Sequence, residues 1–222
     1  MNAENLRIVF LKERIDVSLN ASQINAIKKA PTVEGVLPVF HERWSARSFA
    51  DREVAPETLK KVFEAARWAA SAYNEQPWCF LVGRRGSSAY QKIFASLIEF
   101  NQSWARTAPV LILGAAKTSF THNGTENGYA IYDLGAASSY LTLEAAALGL
   151  TTHQMAGYDQ AKARQAFDIP AEYALGAVIA LGYQGEPAAL GNEQLIAREI
   201  EPRDRKPLSE IALSAWDEPA KL

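Results

Sequence analysis

The chain has 222 residues, 48% of them hydrophobic and 22% charged, a composition that fits a globular protein with one sizeable core. A formal net charge of -2 leaves no basic field of the kind that a long phosphate backbone requires, so nucleic acid is not an expected partner. Cys79 is the only cysteine, which excludes an internal disulfide and a thiol pair for metal or redox chemistry, and fits a reducing cytoplasm.

Residues 1–37 read as an N-terminal extension to a domain spanning 38–222. A short apolar stretch at 8–11 gives way at once to Lys12, Glu13 and Arg14, so no signal-peptide core is expected there. Pro31 and Gly35 set off a short helix over 22–29. Pro56 suits a first helical position, and Leu59, Val62, Phe63, Ala66 and Ala69 recur at helical spacing, which predicts a helix over 56–70. Polar Ser71 opens a loop. Residues 78–83 predict a buried strand, and Ser87 can cap a helix in which Tyr90, Ile93, Phe94 and Leu97 share a face. Another buried strand is expected over 109–116.

A loop over 123–128 precedes a long helix over 129–148, which Gly149 terminates. Its apolar run is broken by Ser138, Ser139, Thr142 and Glu144 and falls short of a membrane span, so no membrane partner is expected. A strand over 151–156 follows, then a helix over 160–167 capped by Asp159, and a third apolar strand over 174–181. The tail from Glu186 has three prolines before Leu208 and one candidate helix, 193–200, which reads as an arm rather than a core element. Helices and buried strands alternate without a fixed repeat, so the class is α+β or α/β.

Most side-chain chemistries leave a local signature, and few are present. The chain has no G-x-G-x-x-G, no Walker-type loop, no G-x-S-x-G and no H-E-x-x-H. His41, His122 and His153 lie far apart with no cysteine or carboxylate at ligand spacing, so no metal site is expected. Asp133 and Glu144 sit about three turns apart on one predicted helix, too far to act as an acid–base pair. No catalytic acid or base is therefore assigned.

Arg43, Ser45 and Arg47 alternate around Trp44 and Ala46, so in an extended conformation two guanidiniums and a hydroxyl point the same way and can grip one anion. A solvated edge with scattered ion pairs is an equally simple reading of that segment. Arg203 and Arg205 alternate again between Pro202 and Pro207, where a charged tail is the simpler alternative. Between them, Ser71, Asn74 and Gln76 form a loop able to hydrogen-bond a planar heterocycle.

With these motifs in this order, the chain resembles the nitroreductase family of FMN flavoproteins. The family's R-x-S-x-R is matched by Arg43, Ser45 and Arg47, and its P-S-x-x-N-x-Q-P-W by Ser71, Asn74, Gln76, Pro77 and Trp78. Its G-L-x-T, strand and G-[FY]-D are matched by Gly149, Leu150, Thr152, Gly157, Tyr158 and Asp159, and its [KR]-x-R-K-P-L by Arg203, Arg205, Lys206, Pro207 and Leu208. The likeness covers residues 38–208. Two positions depart from the pattern: Ala70 replaces the usual proline, and Ala156 stands where some relatives carry an acidic residue.

The resemblance implies an α+β fold with a central, mainly antiparallel sheet flanked by helices, in a homodimer whose C-terminal arms are exchanged and whose two FMN molecules each contact both chains. It implies that Arg43, Ser45 and Arg47, with Trp44 between them, bind the phosphate and the ring's polar edge, and that Arg203 and Arg205 complete the phosphate site. Ser71 and Asn74 would reach the ring from the partner. Met155, Ala156 and Gly157 would lie along it, with a backbone N–H near 156 or 157 directed at flavin N5. The implied activity is ping-pong transfer of hydride from NADH or NADPH to a small electron-poor acceptor such as a nitroaromatic or quinone. Residues 120–128 and 90–104 are the implied lids. Relatives on this scaffold also include dehalogenases and dehydrogenases, and a non-catalytic flavin-binding protein would use the same contacts. Without a Rossmann fingerprint no residue can be tied to a ribose, so donor preference is not readable.

Overall fold

A computed structural model describes residues 19–31 and 34–222. The run at 8–11, and with it the signal-peptide expectation, lies outside the described residues, as does most of the extension. Its short helix is present as α1 (Ala21–Lys28), closed by a capping box in which Asn20 accepts the Gln23 N–H at 3.0 Å and Gln23 accepts the Asn20 N–H at 2.9 Å. The one-turn helix α2 (Pro38–Glu42) leads into the extended segment that carries Arg43.

Four strands form the central sheet: β1 (Trp78–Arg84), β2 (Val110–Lys117), β3 (Thr151–Met155) and β4 (Tyr173–Gly182). Their order is β1-β2-β4-β3 and every pairing is antiparallel. In β2 and β4 apolar residues fill both faces. Leu111, Leu113, Val178 and Ala180 face one cluster, and Val110, Ile112, Ile179 and Leu181 the other. Continuous apolar strands of this kind need cover on both sides. Helices α4 (Ser88–Ser96), α5 (Glu99–Ala105) and α8 (Glu193–Ile200) bring Tyr90, Ile93, Trp104, Leu195 and Ile196 to the first cluster. Helices α3 (Pro56–Arg67) and α6 (Ala130–Ala147) bring Val62, Ala66, Ala137 and Leu141 to the second. Helix α7 (Gln160–Phe167) starts at Asp159, whose carboxylate accepts the Lys162 N–H at 2.9 Å. Gly149 terminates α6 at a φ of 75°, a left-handed conformation open to glycine at no cost.

Three expectations need correction. The 78–83 strand is an edge strand, in which only Gly83 is buried, because nothing among the described residues pairs with its outer side. The helix of 193–200 belongs to the core rather than to an arm, since Leu195, Ile196 and Ile200 recur on one face and are buried. The arm begins after it, with exposed Glu201 and Pro202, and ends in the small hairpin β5 (Leu213–Ala215) and β6 (Glu218–Pro219). Finally, the helix expected over 56–70 stops at Arg67, where Trp68 leaves helical geometry.

Among the described residues no helix is long and apolar enough to cross a membrane. Helix α6 is nonetheless apolar on its outer side as well as its inner one: Tyr129 and Tyr132 are 63% and 76% exposed, with Ile131 and Tyr140 beside them.

Candidate functional site

Residues 43–48 run extended, and burial alternates along them: Trp44, Ala46 and Ser48 face inward, while Arg43, Ser45 and Arg47 face outward. The inward face is anchored three ways. Trp44 and Ala46 pack with Ile24 of α1 and Ile200 of α8. The Trp44 indole N–H donates to Asn25 Oδ1 at 2.9 Å. Glu199 of α8, wholly buried, accepts the backbone N–H of Arg47 at 2.8 and 3.1 Å and of Ser48 at 2.9 Å.

Burial pushes the Glu199 carboxyl up, and the two N–H donors with the Arg47 and Lys28 charges draw it back toward the ionised form. The Ala46 carbonyl faces His153 Nδ1 at 3.1 Å. A carbonyl can only accept, so Nδ1 carries the proton. Burial, then the Arg47 charge, hold His153 down to about 4, so it is neutral at physiological pH.

On the outward face, Arg47 Nε is buried without a hydrogen-bond partner among the described residues. Burial lowers the pKa of both Arg43 and Arg47, and the Arg205 charge lowers Arg43 further. Both guanidiniums stay protonated. A cationic face with an unanswered buried donor has the chemistry to accept an anion.

The late arginines come to the same place. Arg203 donates from Nε, Nη1 and Nη2 to the carbonyls of Lys28, Arg43 and His41, so three of its five N–H groups stitch the chain together. Arg205 is exposed, and among the described residues its guanidinium bonds only the adjacent Asp204 carbonyl, from Nη1 at 2.6 Å. Arg43 also borders a cleft of about 420 Å³ between α1, α2 and the corner from α6 to β3, walled by Asn25, Trp44, Thr151 and Gln184.

The loop of 71–76 is held in an unusual form: Tyr73, Asn74 and Gln76 all have positive φ, at 53°, 55° and 50°, conformations that are costly for non-glycine residues. Buried Asp133 accepts the Ala72 N–H at 3.0 Å, and Ser71 Oγ accepts the Gln76 N–H at 3.0 Å. Glu75 accepts the Thr121 N–H at 2.8 Å, tying in the neighbouring loop. The Asn74 side chain is exposed. No hydrogen bond among the described residues joins Ser71 or Asn74 to the arginine segment of the same chain.

At the end of β3, Met155 is buried and Ala156 exposed. The Gly157 carbonyl accepts from Asn101 Nδ2 at 2.8 Å and from the Ile98 N–H at 3.2 Å. A Cβ at 157 would stand 2.7 Å from both Asn101 Nδ2 and Ile98 Cδ1, so any larger residue there must displace the ends of those two side chains. The N–H groups of 156 and 157 have no backbone acceptor among the described residues. No group of three His, Cys, Asp or Glu among the described residues could hold a metal.

Sequence reasoning missed Lys28, Asn25 and Glu199, and it weighed Asp133 and His153 only as an acid–base partner and a metal ligand, not as the braces they are. Only Glu199 left a signal, as a carboxylate on the same helical face as Leu195, Ile196 and Ile200.

The model of the nitroreductase family matches residues 40–183. A 15.4 kDa protein of Mycolicibacterium smegmatis is 36% identical over 148 residues, which is 63% of this chain and 98% of that protein. A Methanothermobacter thermautotrophicus protein, whose name pairs NADH dehydrogenase with NAD(P)H nitroreductase, is 31% identical over 157 residues, 68% of this chain and 78% of that protein. A solved structure of an oxidoreductase containing FMN is similar at a TM-score of 0.79 and 31% identity, over 84% of this chain and 95% of that one.

Proposed function

The chain belongs to the nitroreductase family, and from that premise we propose that it is an FMN-dependent oxidoreductase that uses NADH or NADPH to reduce a small electron-poor molecule, working as a homodimer in the cytoplasm. The observation that carries the proposal is the outward face of residues 43–47, with its two guanidiniums, its hydroxyl and the unpartnered Arg47 Nε. Those groups fit a phosphate monoester, which carries nearly two negative charges.

Arg43, Ser45 and Arg47, with Arg205 beside Arg43, would hold the phosphate and the polar edge of the ring. Arg203 braces that site and has N–H groups left to join it. Ala156 and Gly157 offer N–H donors that meet no acceptor among the described residues, on a backbone held by Asn101 and Ile98. Asn74, exposed, and Ser71, half-buried, sit on a braced loop from which they could act across a subunit boundary. When bound, FMN would supply two-electron chemistry between a nicotinamide donor and the acceptor. The chain's own part is to bind, orient and electrostatically bias the cofactor through the nearby cationic groups.

Support for the homodimer comes from the outer side of α6, where Ile131, Tyr132 and Tyr140, with Tyr129 just before the helix, make an apolar face that no described residue covers. Purified protein should be yellow, with flavin absorbance that bleaches on anaerobic titration with NADH or NADPH and returns when a quinone or nitroaromatic is added. A protein that takes up no FMN overturns the reading. Retained flavin that is inert to both donors would make the chain a flavin-binding protein without turnover.

A further inference from the structure

Ahead of the region that matches the family, α1 packs against the inward side of the arginine segment, and one of its residues is out of place by ordinary rules. Lys28 is only 5% exposed, although lysine is almost never fully buried without a partner. Its ammonium donates to the Arg198 carbonyl at 3.0 Å and to the Glu201 carbonyl, both at the C-terminal end of α8, where a cation is favoured by the helix dipole. It lies 4.8 Å from the Trp44 ring centroid, and its own carbonyl accepts from Arg203. The charges facing it are Glu199, on α8, and Glu201 and Arg203, in the segment that follows, together with Arg47 of the extended segment. Glu199 in turn binds the backbone N–H groups of Arg47 and Ser48.

We infer that Lys28 is a positioning residue for the flavin phosphate, fixing Glu199 and the end of α8 and, through Glu199, the backbone from which Arg47 presents its guanidinium. The inference rests on the FMN reading. Without the ammonium, the buried Glu199 carboxylate would be answered by two backbone N–H groups and by the Arg47 charge alone, so it would compete with the bound phosphate for that guanidinium. With the ammonium in place, the charge behind the arginine segment is balanced, and the two outward guanidiniums are left to the ligand.

A consequence separates this role from plain packing. Burial, more than any neighbour, holds the Lys28 ammonium down to about 8. A phosphate dianion arriving close by favours the protonated form, so binding takes up a proton in the range where Lys28 titrates. By reciprocity, FMN must bind more weakly as pH rises through that range. Riboflavin, which has the ring but no phosphate, escapes this coupling.

Flavin fluorescence titrations of the full-length apo-protein between pH 7 and 9 test the point. The FMN dissociation constant of the wild type should rise by about tenfold over that interval, a typical size for coupling between two sites, while that for riboflavin stays flat. Lys28→Met should bind FMN weakly at pH 7 and show no further loss at pH 9. Equal slopes for FMN and riboflavin, or for wild type and Lys28→Met, overturn the inference, whatever the variant does at pH 7. If Lys28→Met does not fold, the comparison of FMN with riboflavin on the wild type decides alone. Failure of the wild type to bind FMN at pH 7 would instead overturn the functional reading itself.

Discussion

Arg203 and Arg205 are two positions apart and have different work. Arg203 gives three N–H groups to the carbonyls of Lys28, His41 and Arg43, and charge-assisted bonds of this kind are costly to leave unmade. Arg205 is exposed and, among the described residues, bonded only to Asp204, yet its charge is felt by Arg43. Arg203→Ala should therefore lower stability by on the order of 2–3 kcal/mol in chemical denaturation of the apo-protein. Arg205→Ala should leave that midpoint unchanged and raise the FMN dissociation constant by about tenfold or more, the worth of one charge-assisted contact to phosphate. Equal losses of stability in the two variants would show that the arm is a single brace. An Arg205→Ala protein that holds FMN as tightly as wild type would place the phosphate elsewhere.

The alternation of residues 43–47 was legible because extended chain has a period of two and the buried and open positions differ in chemistry. The core strands were legible for a related reason: β2 and β4 are apolar runs interrupted only by glycine, ending at Lys117 and Gly182. The edge position of β1 was not, since cover depends on neighbours distant in sequence, and α5 is too short for periodicity to register. Nor could local pattern reveal the brace on the 71–76 loop, because Asp133 lies 61 residues away from the Ala72 N–H that it accepts. That brace has a cost attached, since three non-glycine residues beside it sit at positive φ. Asp133→Ala removes the acceptor and leaves the strain, so it should destabilise the protein by about 2 kcal/mol and weaken FMN binding even though Asp133 touches no arginine. Denaturation melts and flavin titration of the same variant measure both. Loss of stability with unchanged FMN binding would mean that the loop's form serves folding alone.

At the scale of the whole molecule, one chain presents the pieces of the site apart. Arg43, Ser45 and Arg47 share a face, and Arg203 and Arg205 join them, but among the described residues Ser71 and Asn74 have no hydrogen bond to that cluster. A second copy docked on α6 would explain both this separation and the exposed Tyr129, Ile131, Tyr132 and Tyr140, since a monomer gains nothing by keeping such a surface in water. Periodicity along α6 could not have announced a docking face, because a helix apolar on both sides reads as simply buried. Assembly and cofactor retention should therefore fail together. Tyr129→Glu with Tyr132→Glu places two charges on each side of a self-complementary interface and should shift the protein from dimer to monomer in sedimentation. Both positions are exposed in the single chain, so its fold and circular dichroism should persist. The monomer should lose FMN, because each site would lack the Ser71 and Asn74 of the other chain. A folded monomer that keeps its FMN would show that one chain completes the site unaided, and a variant that stays dimeric would move the interface off α6.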